Sequence, residues 1–285
     1  MARLICKHLP LMLAEIGLIC ARRCASVAKS AAPLPITGRS RRRCMTVSQG
    51  LNKRALDLCG FRKKHWSPDM CNLYSQTTTH EAVTRLFKVS GNRAAAFDPM
   101  PAVFPGHEAP VVRRAEDGER EISLLSWGFV LPQPGRAAKR VTNARDEKVR
   151  TSSFWKGSFV ERRCLVPGTS FAEPMGSRPA VWHWFGLKGE TPRPLFAFAG
   201  LWRHWKGPLK AGGDLVEMDV YAILTTTSNT VVQPIHPTRM PVMLSGEEQF
   251  NAWLNGSPDE AYALARPFPA DSMRIVHKGE NRDTG

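Results

Sequence analysis

Residues 164–201 read CLVPGTSFAEPMGSRPAVWHWFGLKGETPRPLFAFAGL, and the fold class turns on this stretch. Four runs, Cys164–Pro167, Ser170–Glu173, Ala180–Phe185 and Leu195–Leu201, are rich in β-branched, aromatic and small apolar residues. Gly, Pro and Ser part them at intervals too short for helices, so they read as successive short strands. Upstream, Pro110–Arg114 and Glu121–Trp127 are strands flanking the turn Glu116-Asp117-Gly118; downstream, Val220–Thr226, Met240–Leu244 and Met273–Val276 continue the pattern. Met100–Gly106 reads as a loop punctuated by proline. Helices are few. Thr79-His80-Glu81 caps one over Ala82–Val89, with Val83, Leu86 and Phe87 on one face. Phe154–Arg163, Glu247–Leu254 and Pro258–Ala265 are the others. This pattern predicts an α+β domain over residues 71–285, built on a mostly antiparallel, curved, barrel-like sheet with short peripheral helices.

Composition sets the outer limits. The chain is 42% hydrophobic and 23% charged, ordinary for a globular protein, and its 22 Pro and 22 Gly favour turns over a helical bundle. A formal charge of +15 resembles a nucleic-acid signature, but it is unevenly spread. Residues 1–70 hold 14 Lys+Arg against 3 Asp+Glu, whereas residues 71–285 hold 26 against 22, a net of only +4. Global pI therefore says little about the folded domain. Five of the seven cysteines also lie before residue 70, leaving Cys71 and Cys164. With no CxxC pair and no Cys/His cluster at zinc spacing, neither a disulfide framework nor a metal site is expected. A reducing compartment, the cytoplasm, fits this usage.

The first seventy residues do not read as a domain. Their one apolar run, Leu9–Ala21, is thirteen residues broken by Glu15, too short to span a bilayer. A basic start and Ala25-Ser26-Val27-Ala28 share features with secretory signals, and the Arg-rich, acid-poor character with transit peptides. Basic, low-acid translations mimic both. The reading adopted is a non-native or removed extension, disordered if present, with the biological start at Met70, where composition changes abruptly.

Four polar islands stand against apolar or turn surroundings: Met70–Ser75, Thr142–Arg145, Phe171–Pro174 and Ile235–Pro241. Taken singly, each has an ordinary structural reading. A lone Cys is most often a small buried hydrophobe. Asn before Ala-Arg suits a helix N-cap or a turn. Glu before Pro suits an exposed strand end, and His before Pro a loop.

Together, in order, they resemble the SOS response-associated peptidase family, the abasic-site processing proteins. The resemblance rests on Met70-Cys71, on Asn143-Ala144-Arg145, on Cys164-Leu165-Val166-Pro167 with Glu173 nine residues after Cys164, and on Ile235-His236 with Arg239-Met240-Pro241-Val242. Ser126-Trp127-Gly128, Leu201-Trp202 and Thr225–Asn229 extend it over nearly all of Cys71–Asp283. It implies a covalent reaction with abasic sites in single-stranded DNA, in which an N-terminal Cys71 closes a thiazolidine ring on the opened sugar aldehyde. A free α-amine, with a pKa of about 7.7–8.0, supplies a neutral nucleophile near pH 7. By motif position, Asn143 resembles the amide that holds the amine or sugar, Glu173 the general acid/base, and His236 the group that assists sugar-ring opening. Arg145 and Arg239 match positions near the DNA backbone, and Trp127 is a candidate for base stacking, with a core role as its alternative.

The resemblance implies no cofactor, no membrane, no obligatory protein partner and a monomer. Three departures bear on DNA preference: Asn72-Leu73 follows Cys71 where Gly-Arg is common, Pro174 replaces an aromatic, and His236 stands one residue further from Arg239 than usual. Two other readings stay open, a thiol peptidase acting on other proteins and a noncovalent single-stranded DNA-binding module.

Overall fold

The computed structural model describes residues 72–176, 179–190 and 193–284. Cys71, the Met70 start and the expectations for residues 1–70 lie outside the described residues. Strand β1 (Tyr74–Gln76) precedes helix α1 (His80–Leu86), where the Thr79 side chain accepts the Ala82 amide, the cap that the sequence predicts. Next come β2 (Met100–Val103), β3 (Glu108–Arg114), β4 (Arg120–Trp127), β5 (Phe129–Leu131), β6 (Lys139–Val141) and β7 (Asn143–Arg145). Helices α2 (Asp146–Val149) and α3 (Lys156–Glu161) lead to β8 (Arg163–Gly168), β9 (Ser170–Met175) and β10 (Val181–Leu187). The long strands β11 (Phe196–Pro208) and β12 (Leu215–Thr226) follow, then β13 (Met240–Pro241) and β14 (Met243–Leu244). Helices α4 (Glu247–Asn255) and α5 (Pro258–Ala263) and the strand β15 (Met273–Gly279) complete the order.

Five strands close on themselves. β12, β4, β3, β8 and β11 are neighbours in that order, and β11 pairs back with β12. Every pairing in this barrel is antiparallel except β12 with β4. β7 lies parallel to the far end of β12, and β13 and β14 add to β12 and β11. A second, open antiparallel sheet runs β15-β10-β9-β1-β2. Only Thr169 separates β8 from β9, so one stretch of chain passes from the barrel into the open sheet. The α+β class and the curved, mostly antiparallel sheet match the reading of the sequence.

Alternation along the strands sorts their side chains into two cores. Val112, Leu165, Ala199, Ala222 and Leu224 join Phe87 of α1 and Phe250 and Trp253 of α4. Their sequence neighbours Val111, Cys164, Val166, Phe198 and Tyr221 join Tyr74, Phe171 and Phe185 of the open sheet. Strands buried on both faces read as continuous apolar runs, which is why they were legible. Each buried aromatic contributes roughly 1.5–3 kcal/mol relative to exposure.

Three expectations needed correction. The helix expected at Phe154–Arg163 ends at Glu161, because Arg163 turns inward and begins β8. Its Nη1 donates to Phe159 O at 2.8 Å and its Nε to Trp253 O at 2.6 Å, satisfying carbonyls that α3 and α4 leave open. Met100–Gly106 is not all loop, since β2 occupies the sheet edge, where Pro101 costs no ladder hydrogen bond. Met240–Leu244 is two short strands, split at Val242.

The C-terminal end is fastened by charge. The fully buried Asp283 carboxylate accepts Ser75 Oγ at 3.0 Å, Ser170 Oγ and Arg193 Nη1, while its amide donates to Pro101 O at 2.9 Å. One residue thus ties β1, β9 and β2 together. Removing one partner of such a buried pair strands the other. Asp283→Ala is expected to cost about 3 kcal/mol in denaturant unfolding. Among the described residues no helix is long and apolar enough to cross a membrane.

Candidate active site

The residue that follows Cys71 is held from two sides. Thr142 Oγ1 donates to Asn72 Oδ1 at 2.7 Å, and Asn143 Nδ2 donates to that same Thr142 Oγ1 at 3.1 Å. On the other flank, Leu73 O accepts the Ala172 amide at 3.0 Å, and β1 pairs with β9 at Tyr74–Phe171 and Ser75–Ser170. Leu73 is thereby held beside Ala172, the neighbour of Glu173. Asn72 is thus tied to the strand that carries Asn143, and Leu73 to the strand that carries Glu173. Asn143 and Glu173 are almost fully enclosed, at 3% and 2% exposure.

Asn143 was open to an N-cap reading, but it lies in a strand. β7 pairs in parallel with β12 at Asn143–Ile223, and Thr142 O accepts the Ile223 amide at 2.9 Å. Thr142 O also accepts Trp127 Nε1 at 3.1 Å. The stacking role considered for Trp127 does not survive this placement. Its ring is 0% exposed, lies parallel to Tyr221 at 6.3 Å and meets the edge of Tyr74 at 5.1 Å. No face is open to a base, and its service to the site is to hold Thr142. Beside it, Tyr74 and Tyr221 share a 2.6 Å hydroxyl contact, and burial pushes both phenols above their ordinary range, so they stay neutral.

His236 sits in the loop between β12 and β13, 7% exposed. Its Nδ1 accepts the Arg239 amide at 3.1 Å and its carbonyl accepts Ser228 Oγ at 2.7 Å. A ring nitrogen that accepts from an amide carries no proton, so the neutral imidazole bears its hydrogen on Nε2. The three-residue His236–Arg239 spacing lets the Arg239 amide reach back across the turn.

Arg239 is occupied. Its guanidinium donates to Asp146 Oδ1 at 3.0 Å and Glu147 Oε2 at 2.5 Å, and Asp146 Oδ2 also accepts Thr226 Oγ1 at 2.7 Å. Glu147 is held down, to about 2, by its hydrogen bond with the Asp146 carboxyl and by Arg239. Asp146 is pushed up by burial and by that same neighbour. In this structure Arg239 ties the His236 loop to the end of β7, three residues past Asn143. Arg145 differs. It is exposed and, two residues from Asn143, projects from the same face of β7.

The sequence reading missed Thr142, Asp146 and Glu147 as supports. All sit beside flagged residues, but their roles arise from contacts across 70 to 93 positions, which no local spacing reveals. Among the described residues, no group of three or more His, Cys, Asp or Glu is placed to hold a metal ion.

Residues 70–279 match the SOS response associated peptidase (SRAP) family. The abasic site processing protein YoqW of Bacillus subtilis (strain 168) is 31% identical over 163 residues, covering 55% of this chain and 69% of that protein. The abasic site processing protein HMCES of Xenopus tropicalis is 24% identical over 188 residues, covering 59% of this chain and 52% of its own length. A solved structure from Bordetella bronchiseptica superposes with a TM-score of 0.57 at 23% identity, covering 73% of this chain and 98% of the other. One from Bacteroides thetaiotaomicron gives 0.54 at 20%, covering 71% and 90%. These two speak for the fold alone.

Proposed function

The chain belongs to the SOS response associated peptidase family, and from that premise we propose that it captures abasic sites in single-stranded DNA covalently. The proposed reaction joins the amine and thiol of an N-terminal Cys71 to C1′ of the opened deoxyribose. The aldehyde oxygen leaves as water, taking one proton from nitrogen and one from sulfur, and a thiazolidine remains. The observation that supports this reading is the seating of Asn72, fastened through Thr142 to Asn143, next to Leu73, whose carbonyl accepts the amide of Ala172, the neighbour of Glu173.

Roles follow from chemistry. Asn143 orients without charge, Glu173 carries protons from the attacking groups to the departing hydroxyl, and His236 offers an Nε2 hydrogen that eases opening of the sugar ring. Arg145 contacts the backbone phosphate, as its exposed planar fork suits. Arg239 orders the His236 loop while its carboxylate partners hold it. Residues 71–285 act as the working domain, as a monomer in the cytoplasm, with Met70 or any longer upstream segment removed first, by self-cleavage or otherwise.

The test uses purified protein whose N-terminus has been sequenced, incubated with single-stranded DNA containing one abasic site. A conjugate that survives heat and SDS is expected. Casein digestion without a conjugate would favour a peptidase acting on other proteins, and a salt-sensitive gel shift alone a noncovalent binder.

A further inference from the structure

β9 and β10 pair antiparallel, and the partner directly across from Glu173 is His183. Side chains of directly opposed residues point to one face, with Cβ atoms roughly 4.5–5.5 Å apart. Along that face, Phe171 and Phe185 come first, buried and stacked at 5.2 Å. Glu173 and His183 come next, both buried, and Met175 and Val181 last, 50% and 45% exposed at the hairpin end. The carboxyl and imidazole are thus the one polar pair on a row that runs from core to solvent. On its other side His183 is paired with Lys278 of β15, which is exposed. Glu173 and Lys278 are the charged groups that face His183 from the two strands packed against it.

The ring's hydrogen bonding leaves one nitrogen available. His183 Nδ1 lies 3.2 Å from Val181 O, and a carbonyl only accepts, so Nδ1 carries the hydrogen. The neutral ring's Nε2 is then an acceptor. Burying an imidazole beside a phenylalanine pair costs free energy that an apolar residue would avoid. Glu173 must hold a proton before it can first act as an acid; enclosed as deeply as it is, it draws that proton through a neighbour, and histidine is the side chain suited to supply it near neutrality.

We infer that His183 is a positioning residue for the proposed reaction, exchanging protons with the Glu173 carboxyl and passing them toward solvent on the Lys278 side. The inference rests on the proposed function. When Glu173 gives its proton to the departing hydroxyl, it recovers one from the Cys71 amine or thiol, so the reaction leaves no net charge on the pair. His183 keeps the carboxyl in the protonation state the next step needs.

The test measures single-turnover conjugation from about pH 5.5 to 8.5 for wild type, His183→Gln and His183→Phe. Both variants are expected to react about tenfold more slowly at neutral pH and with a flatter pH profile. Affinity for intact single-stranded DNA of the same sequence is expected to stay within about twofold, since His183 is buried, at 7% exposure. Variants with the wild-type rate and profile would overturn the inference, whereas a wild type that forms no conjugate would overturn the functional reading itself. Should neither variant melt cooperatively, 15N spectra of histidine-labelled protein near pH 6.5 decide. Replacing Glu173 with Gln is expected to change the His183 ring signals. Unchanged signals would overturn the inference.

Discussion

Protein in which the Cys71 nitrogen is still acylated, whether by Met70 or by the whole upstream segment, is expected to form no conjugate with abasic single-stranded DNA. The loss should exceed about 10³-fold, because two covalent steps depend on that nitrogen. A peptide nitrogen is planar and its lone pair is delocalised, so it adds to no aldehyde. Without the Schiff base, the thiol meets the sugar only as an external nucleophile. With it, sulfur stands two carbons from nitrogen on the same residue, and such intramolecular attack reaches effective molarities on the order of 10⁵ M. Cys71→Ala separates the two halves of this argument. It keeps the free amine, so the sugar remains trappable by borohydride, but the heat-stable conjugate is lost. An acylated Cys71 loses both. The comparison is read on one denaturing gel, with and without borohydride.

Glu173→Gln is expected to slow conjugation by about 10²–10⁴-fold. The amide fills the same space at a site only 2% exposed, so the fold and the seating of Asn72 should persist. It neither donates nor accepts the proton that must pass from nitrogen and sulfur to the departing oxygen. A proton carrier alters the barrier and not the equilibrium, so the variant's final yield should approach that of wild type after long incubation. Single-turnover time courses distinguish this from a binding defect, which saturating protein would relieve. A variant with the wild-type rate would remove Glu173 from the reaction.

Much of the fold was legible because the deciding strands are buried on both faces. The runs at 164–167, 170–173, 180–185, 195–201 and 220–226 fall within β8 to β12, and only their ends moved. What escaped was strand held by something other than apolar burial. The outer halves of β11 and β12 alternate polar side chains, and cross-strand charge pairs hold them, Lys206 with Glu217 at 2.9 Å and His204 with Asp219 at 3.0 Å. Trp205 and Met218, which alternate with these charges, are only partly buried against the core, so the apolar signal there is short and weak. β2 was hidden by its proline and β7 by its length of three residues.

The candidate site divides in the same way. Asn143, Glu173 and His236 stood out as polar residues in apolar or turn settings, and all three are buried. Their supports did not stand out. Thr142 matters because Asn72 arrives from 70 positions away, and His183 because a hairpin sets it across from Glu173. Trp127 was legible only as an alternative between a stacking platform and a core aromatic, and its packing against Tyr74 and Tyr221 places it in the core. Arg239 matches by motif a position near the DNA backbone, and in the structure two carboxylates of the adjoining helix hold it.

The decisive measurement is tandem mass spectrometry of the peptide–sugar adduct cut from the conjugate. The account predicts a peptide beginning at Cys71 that carries the deoxyribose fragment less one water, with both the nitrogen and the sulfur of that residue bonded to C1′. An adduct on a lysine, or on a Cys71 whose nitrogen is still in amide linkage to the preceding residue, would contradict it.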